Sequence, residues 1–92
     1  DTRFAAEAKY LEAELHFKLD SLNSAKESCY ELLDLFNGYD EWVGKSLILL
    51  GDAFAKEGDA FNAKVTYNTI LENFTDKNIT AVATERLKSL EN

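Results

Sequence analysis

The chain has no proline, no methionine and only four glycines in 92 residues. With so few of the residues that punctuate regular structure, it offers no linker or low-complexity tract and favours long helices throughout. Its single cysteine, Cys29, cannot close an internal disulfide, so nothing marks a redox compartment. The single histidine, His16, together with that one cysteine makes no zinc-type ligand set. A glycine-rich phosphate loop is missing as well. No apolar run reaches the length of a membrane span and no apolar signal segment opens the chain. It begins at Asp1 without an initiator methionine, and reads as an excised piece of a longer protein whose targeting signal would lie upstream. Basic residues are scarce: 10 Lys and Arg stand against 17 Asp and Glu, for a net charge of −7. That balance opposes a phosphate backbone or an anionic membrane surface, both of which need concentrated Lys and Arg.

What is present is an apolar content of 46%, including 12% aromatic, enough for one small core and for no second domain. The chain also repeats itself at an offset of 38 residues. Ala13, His16, Ala25 and Cys29 become Gly51, Phe54, Ala63 and Tyr67, and identities fall in register at Leu11/Leu49, Lys18/Lys56, Ala25/Ala63, Lys26/Lys64, Leu33/Leu71 and Phe36/Phe74. A third, incomplete copy continues through Leu87 and Ser89. A period of this length implies stacked helix pairs rather than a globular enzyme, with segments 1–38 and 39–76 as repeats and 77–92 as a closing helix.

Candidate helix caps stand at Thr2, Asp40 and Asn78, each able to accept from a free amide in the first turn. From Thr2, the apolar residues Phe4, Ala5, Ala8, Leu11, Leu15 and Leu19 recur at helical spacing and predict an amphipathic helix over 2–19. A second helix, 22–36, is carried by Leu22, Ala25, Cys29, Leu32, Leu33 and Phe36, with Asn37-Gly38 as a left-handed stop. The second pair covers 40–57, with Val43, Leu47, Leu50, Ala53 and Phe54 inward, and 60–74, on Phe61, Ala63, Val65, Tyr67, Ile70, Leu71 and Phe74, joined by Gly58-Asp59. A fifth helix over 78–90 presents Ile79, Val82, Ala83, Leu87 and Leu90 and is expected to cover the helix before it. Strand-like alternation is missing, so the expected class is all-α, five helices in antiparallel pairs.

The second copy resembles a tetratricopeptide repeat. The family pattern of an aromatic, Leu-Gly, an aromatic, then Ala and an aromatic is met by Leu47, Leu50-Gly51, Phe54, Gly58-Asp59, Ala63 and Tyr67, with an aliphatic for the leading aromatic and Thr75 for the terminal proline. The first copy keeps the small residues Ala13 and Ala25 but has Glu12 and His16 for the leucine and aromatic. The offset of 38 exceeds the usual spacing of about 34 by one helical turn, placed where one repeat passes into the next. The resemblance implies an α-solenoid of two repeats plus a capping helix, and a concave groove lined by the first helix of each pair, where polypeptides bind. Its expected groove residues are Tyr10, Glu14, Phe17, Lys45, Ile48, Asp52 and Arg86, flanked by Glu7, Leu11, Lys18, Leu49, Lys56, Ala83 and Leu87. Glu14 and Asp52 stand where a carboxylate-holding clamp needs asparagine, so acidic tails are not the expected ligand. Similar second repeats in long bacterial arrays imply a bacterial source, in the cytoplasm or the cell envelope.

Other candidates read as structure. His16 and Cys29 occupy core positions of the repeat pattern, and Glu7, Glu12 and Glu14 are spaced as a solvated helix face rather than a cation site. Asn73-Phe74-Thr75 and Asn78-Ile79-Thr80 match the glycosylation triplet at helix ends. The expected function is a non-catalytic, cofactor-free and metal-free scaffold that binds a protein or peptide and neither nucleic acid nor membrane. The alternative is a structural spacer or self-association element that packs through its exposed repeat ends.

Overall fold

The computed structural model describes residues 1–91; the final residue of the expected closing helix, Asn92, lies outside them. Five helices follow one another: α1 (Thr2–Lys18), α2 (Leu22–Leu35), α3 (Asp40–Lys56), α4 (Ala60–Asn73) and α5 (Lys77–Glu91). No strand occurs among the described residues. The spans match the apolar spacing to within about two residues, because no proline or mid-helix break competes with it.

The α1–α2 and α3–α4 turns are the same structure. Asp20 (φ 62°) and Gly58 (φ 83°) take the left-handed conformation at positions 38 apart. Around them, Asp20 N donates to Phe17 O at 3.0 Å and Ser21 N to His16 O at 2.8 Å, as Gly58 N does to Ala55 O at 3.0 Å and Asp59 N to Phe54 O at 2.9 Å. Aspartate is one of the few side chains that tolerates this region, which is why a non-glycine can stand there.

The helix starts correct the expected caps. Thr2, Asp40 and Asn78 all lie inside helices. The acceptors stand upstream: the Asp1 carboxylate takes the Arg3 amide at 2.8 Å, and Asp76 takes the amides of Asn78 and Ile79 at 2.8 and 3.2 Å. In each case an aspartate one or two residues earlier reaches the first-turn amides. At α3 the cap position is Tyr39, without a side-chain bond, and Asp40 and Glu41 instead place charge in the first turn, where the helix dipole favours it. Asn37-Gly38 is not left-handed; α2 ends at Phe36 with φ −128°.

Each helix packs on the next, and α3 additionally touches α1 and α5; among the described residues α2 and α4 are not in contact. One core cluster joins Ala13, Cys29, Leu49 and Leu50, with Tyr10, Phe17 and Leu33 against it. The other joins Ala63, Tyr67, Ile70 and Ala83, with Ile48, Ile79 and Leu87 against it. Gly51 faces the Tyr67 ring so closely that a Cβ would fall inside the ring's van der Waals surface. No helix of the described residues is long and apolar enough to cross a membrane.

In two helices the apolar spacing does not mark the buried side. In α1 the buried residues are Ala6 and Ala13, and the stripe of Phe4, Ala8, Leu11, Leu15 and Leu19 faces solvent. Hydropathy weights the leucines, whereas close approach between helices selects the alanines. In α4, Phe61, Val65 and Leu71 are exposed while Ala63, Thr66, Tyr67 and Ile70 are buried.

Candidate functional site

α1 meets α3 and α3 meets α5, so these three helices form a continuous series. The groove candidates lie on these three helices. From α1 come Tyr10, Glu14 and Phe17, all half-buried. The Tyr10 hydroxyl donates to Glu14 Oε2 at 3.4 Å, one helical turn on, and Lys18 Nζ lies 3.8 Å from Glu14 Oε1. Burial first, and then the Glu14 carboxylate, push the Tyr10 hydroxyl up to about 12.

Across the α1–α3 contact the Tyr10 ring sits 5.7 Å from that of Trp42, tilted by 40°. Lys45 Nζ lies 4.6 Å from the centre of the Trp42 ring, and Lys56 Nζ lies 5.2 Å from that of Phe17. Lys45 is also paired with Glu41 at 3.4 Å and Lys56 with Asp20 at 3.2 Å. Both lysines are therefore held between a ring face and a carboxylate, with partly exposed stems.

Two of the remaining candidates, Asp52 and Arg86, meet directly. Asp52 accepts from the Tyr67 hydroxyl of α4 and from Arg86 Nε of α5, the latter at 3.0 Å, so one carboxylate joins three helices. Desolvation first and the bond to Asp52 second push the Tyr67 hydroxyl well above its usual range; the same carboxylate bond raises Arg86. No protein-family model, curated protein or solved structure matches the chain. The residues themselves therefore carry the functional reading.

Tyr10 and Phe17 pack against the first core cluster and Ile48 against the second, and the two clusters adjoin through Leu47 and Phe54, which pack against both. Of the flanking positions, Leu49 and Ala83 are core residues and Leu11 lies exposed on the solvent-facing stripe of α1. The sequence reading passed over Trp42, the only tryptophan, which stands one turn and a residue before the repeat pattern's first position at Leu47; the offset that pairs it with Phe4 was the available signal. Tyr67 was read as a core aromatic, and a buried phenol that needs an acceptor was the sign of its bond to Asp52. Cys29 is fully buried, and desolvation pushes its thiol up to about 12, which keeps it from acting as a thiolate nucleophile near neutral pH.

Proposed function

We propose that the chain is a non-catalytic polypeptide-binding module, two tetratricopeptide-like repeats and a closing helix, which receives its partner on the side formed by α1, α3 and α5. The observation that carries this is the Tyr10–Trp42 pair across two helices, with Lys45 over one ring and Glu14 beside the other. Aromatic rings with reachable edges and fixed polar neighbours are the side chains from which binding hot spots are made. The recurrence of one turn structure at Asp20 and Gly58 supports the repeat reading. The net charge of −7, with Glu7, Glu14 and Glu41 along this side, favours a segment carrying an aromatic or apolar residue next to a basic one.

A peptide library panned against the purified protein tests the proposal, with the single tryptophan as a built-in reporter. Basic-aromatic peptides should be enriched and should change Trp42 fluorescence, and Tyr10→Ala should weaken them by about 1–2 kcal/mol. Enrichment of acidic C-terminal peptides would overturn the assignment. No enrichment at all would favour the second reading, a structural spacer or self-association element, for which the exposed apolar stripe of α1 speaks.

A further inference from the structure

Among the described residues three lysines lie over ring faces, each with a carboxylate beside it, and they are not alike. Lys56, on α3, lies over Phe17 of α1 and pairs with Asp20 in the turn that follows. Lys26, on α2, lies 4.8 Å from the centre of the Phe54 ring of α3 and 2.7 Å from Glu57 Oε1, just beyond that helix. Releasing either would undo a contact between helices. Lys45 differs, because its ring, Trp42, and its carboxylate, Glu41, both stand on its own helix. These contacts join α3 to nothing, so the fold does not need Lys45 in this place.

The Lys45 contact is also the easiest to give up. Lys45 Nζ is 3.4 Å from Glu41 Oε2, and the two side chains are 41 and 65% exposed. An exposed pair one helical turn apart contributes little, and a cation over an exposed ring only a little more. Lys45 has a second carboxylate close by: with Glu41 it lines a cavity of about 380 Å³ whose other walls are Asp76, Asn78 and Ile79. Asp76 caps α5 through Oδ1 and has no ionic partner among the described residues. Another cavity, of about 330 Å³ and lined by Arg3, Gly38, Tyr39, Asp40, Glu41 and Trp42, leaves room for an incoming side chain beside the same indole. Its one cation, Arg3, lies 5.8 Å from the centre of the Phe4 ring.

We propose that Lys45 is an internal stand-in for an arginine of the bound polypeptide. The proposal rests on the peptide-binding reading of this face, and adds where the partner's basic residue goes and what it displaces. The partner's guanidinium takes the Trp42 face and the Glu41 carboxylate, and Lys45 turns on its flexible stem toward Asp76. A guanidinium is planar and more weakly hydrated than an ammonium, and it can stack on a ring while giving two N–H groups to a carboxylate, so the exchange favours it. A partner lysine would trade like for like. The face therefore selects arginine over lysine and stays covered by its own cation until one arrives.

The probes are three blocked tetrapeptides, acetyl-Gly-Phe-X-Gly-amide with arginine, lysine or the neutral isostere citrulline at X, titrated into the whole isotope-labelled protein. In the free protein the ε-methylene protons of Lys45, held over the indole, should resonate upfield of those of other lysines. The arginine probe should return them to the ordinary lysine position while it shifts Tyr10 and Trp42. It should bind at least about threefold tighter than the lysine probe, and the citrulline probe should bind weakest. Lys45→Met keeps the stem but removes the competitor, and should tighten the arginine probe about fivefold. Glu41→Gln should erase the preference for arginine over citrulline. Asp76→Asn, which can still cap α5, should weaken the arginine probe in the parent but not in Lys45→Met. Shifts at Tyr10 and Trp42 with Lys45 still upfield at saturation, or equal binding of the arginine and citrulline probes, would overturn the stand-in role and leave the peptide-binding reading in place. Silence from all three probes would overturn it too, and the peptide-binding reading would fall with it only if library panning also returned nothing.

Discussion

The two helix hairpins share a turn, a register and a pattern of small residues, yet divide bulk differently. In α1–α2, Ala13 lies in one cluster with Cys29; in α3–α4 the same positions are Gly51 and Tyr67, with the glycine giving up its side chain to the ring. The carboxylate one helical turn before the hairpin's end is treated differently too. Glu14 takes its tyrosine from its own helix, Tyr10, whereas Asp52 takes Tyr67 from the partner helix and Arg86 from a third. The first hairpin is closed by small apolar contact and leaves a face of α1 open. The second is closed by a large aromatic whose polar tip ties it to the helix beyond. A shared backbone period thus supports two different ways of holding a helix pair together, and the difference tracks how many neighbours each must hold.

The largest expected effects test the shared part. Leu32 and Ile70 are equivalent and fully buried. Leu32→Ala and Ile70→Ala should each cost about 2–5 kcal/mol, and chemical denaturation should find them similar; a near-neutral result at either would break the equivalence of the hairpins.

Gly51→Ala tests the difference. Its new methyl meets the Tyr67 ring, which is buried and cannot swing aside, so a loss of about 1–3 kcal/mol is expected despite alanine's better helix propensity. Adding Tyr67→Cys, which copies the first hairpin's pair, should make the combined loss smaller than the sum of the two single losses. Strict additivity would mean that the ring and the glycine are not packed together.

Tyr67→Phe removes the bond to Asp52 and should cost about 1 kcal/mol near neutral pH. It should also flatten the alkaline limb of the stability curve. The hydroxyl's folded pKa is raised above its usual 10.0. The unfolded chain therefore loses that proton first, and stability present below pH 10 declines as pH rises beyond it. Tyr10, pushed up to about 12, adds to the same limb, so the variant should be shallower rather than flat. A thermal midpoint indifferent to pH between 9 and 11 in the parent protein would contradict both.

The turns and α3 give the smallest effects. Gly58→Ala forces a side chain into the left-handed region and should lower stability by about 1 kcal/mol, whereas Asp20→Gly relieves a similar conformation and should be neutral or slightly stabilising. Ser46 carries a buried hydroxyl with no hydrogen-bond partner among the described residues, where the first hairpin has Ala8. Ser46→Ala should raise the unfolding free energy by about 0.5–1 kcal/mol, read from chemical denaturation, and a loss would show that the hydroxyl is satisfied in solution.

The helix spans, their order and the Gly58 turn were legible because spacing and backbone freedom are local properties of a chain without proline. Which side of α1 points inward was not. Its buried side consists of Ala6 and Ala13, which score weakly on any hydropathy scale, while its leucines face outward. The caps were misplaced by a residue or two because Thr2 and Asp1, or Asn78 and Asp76, are chemically similar acceptors and geometry decides between them. On the functional side, the three- and four-residue spacing of Tyr10, Glu14 and Phe17 on one face of α1 is a local property and legible. The bond of Asp52 to both Tyr67 and Arg86 depends on distances across three helices, which no periodicity carries.

The position of α3, among the described residues the one helix in contact with all four others, has a kinetic meaning. Contacts reach no further than the second helix along the chain, so folding closes only short loops, which favours collapse on a microsecond-to-millisecond scale. With no proline in the sequence, refolding should lack the slow isomerisation phase that lasts tens of seconds in many proteins. Unfolding should proceed from the ends toward the middle: amides of α1 and α5 should exchange with solvent before those of α3, whose release should coincide with loss of the whole structure.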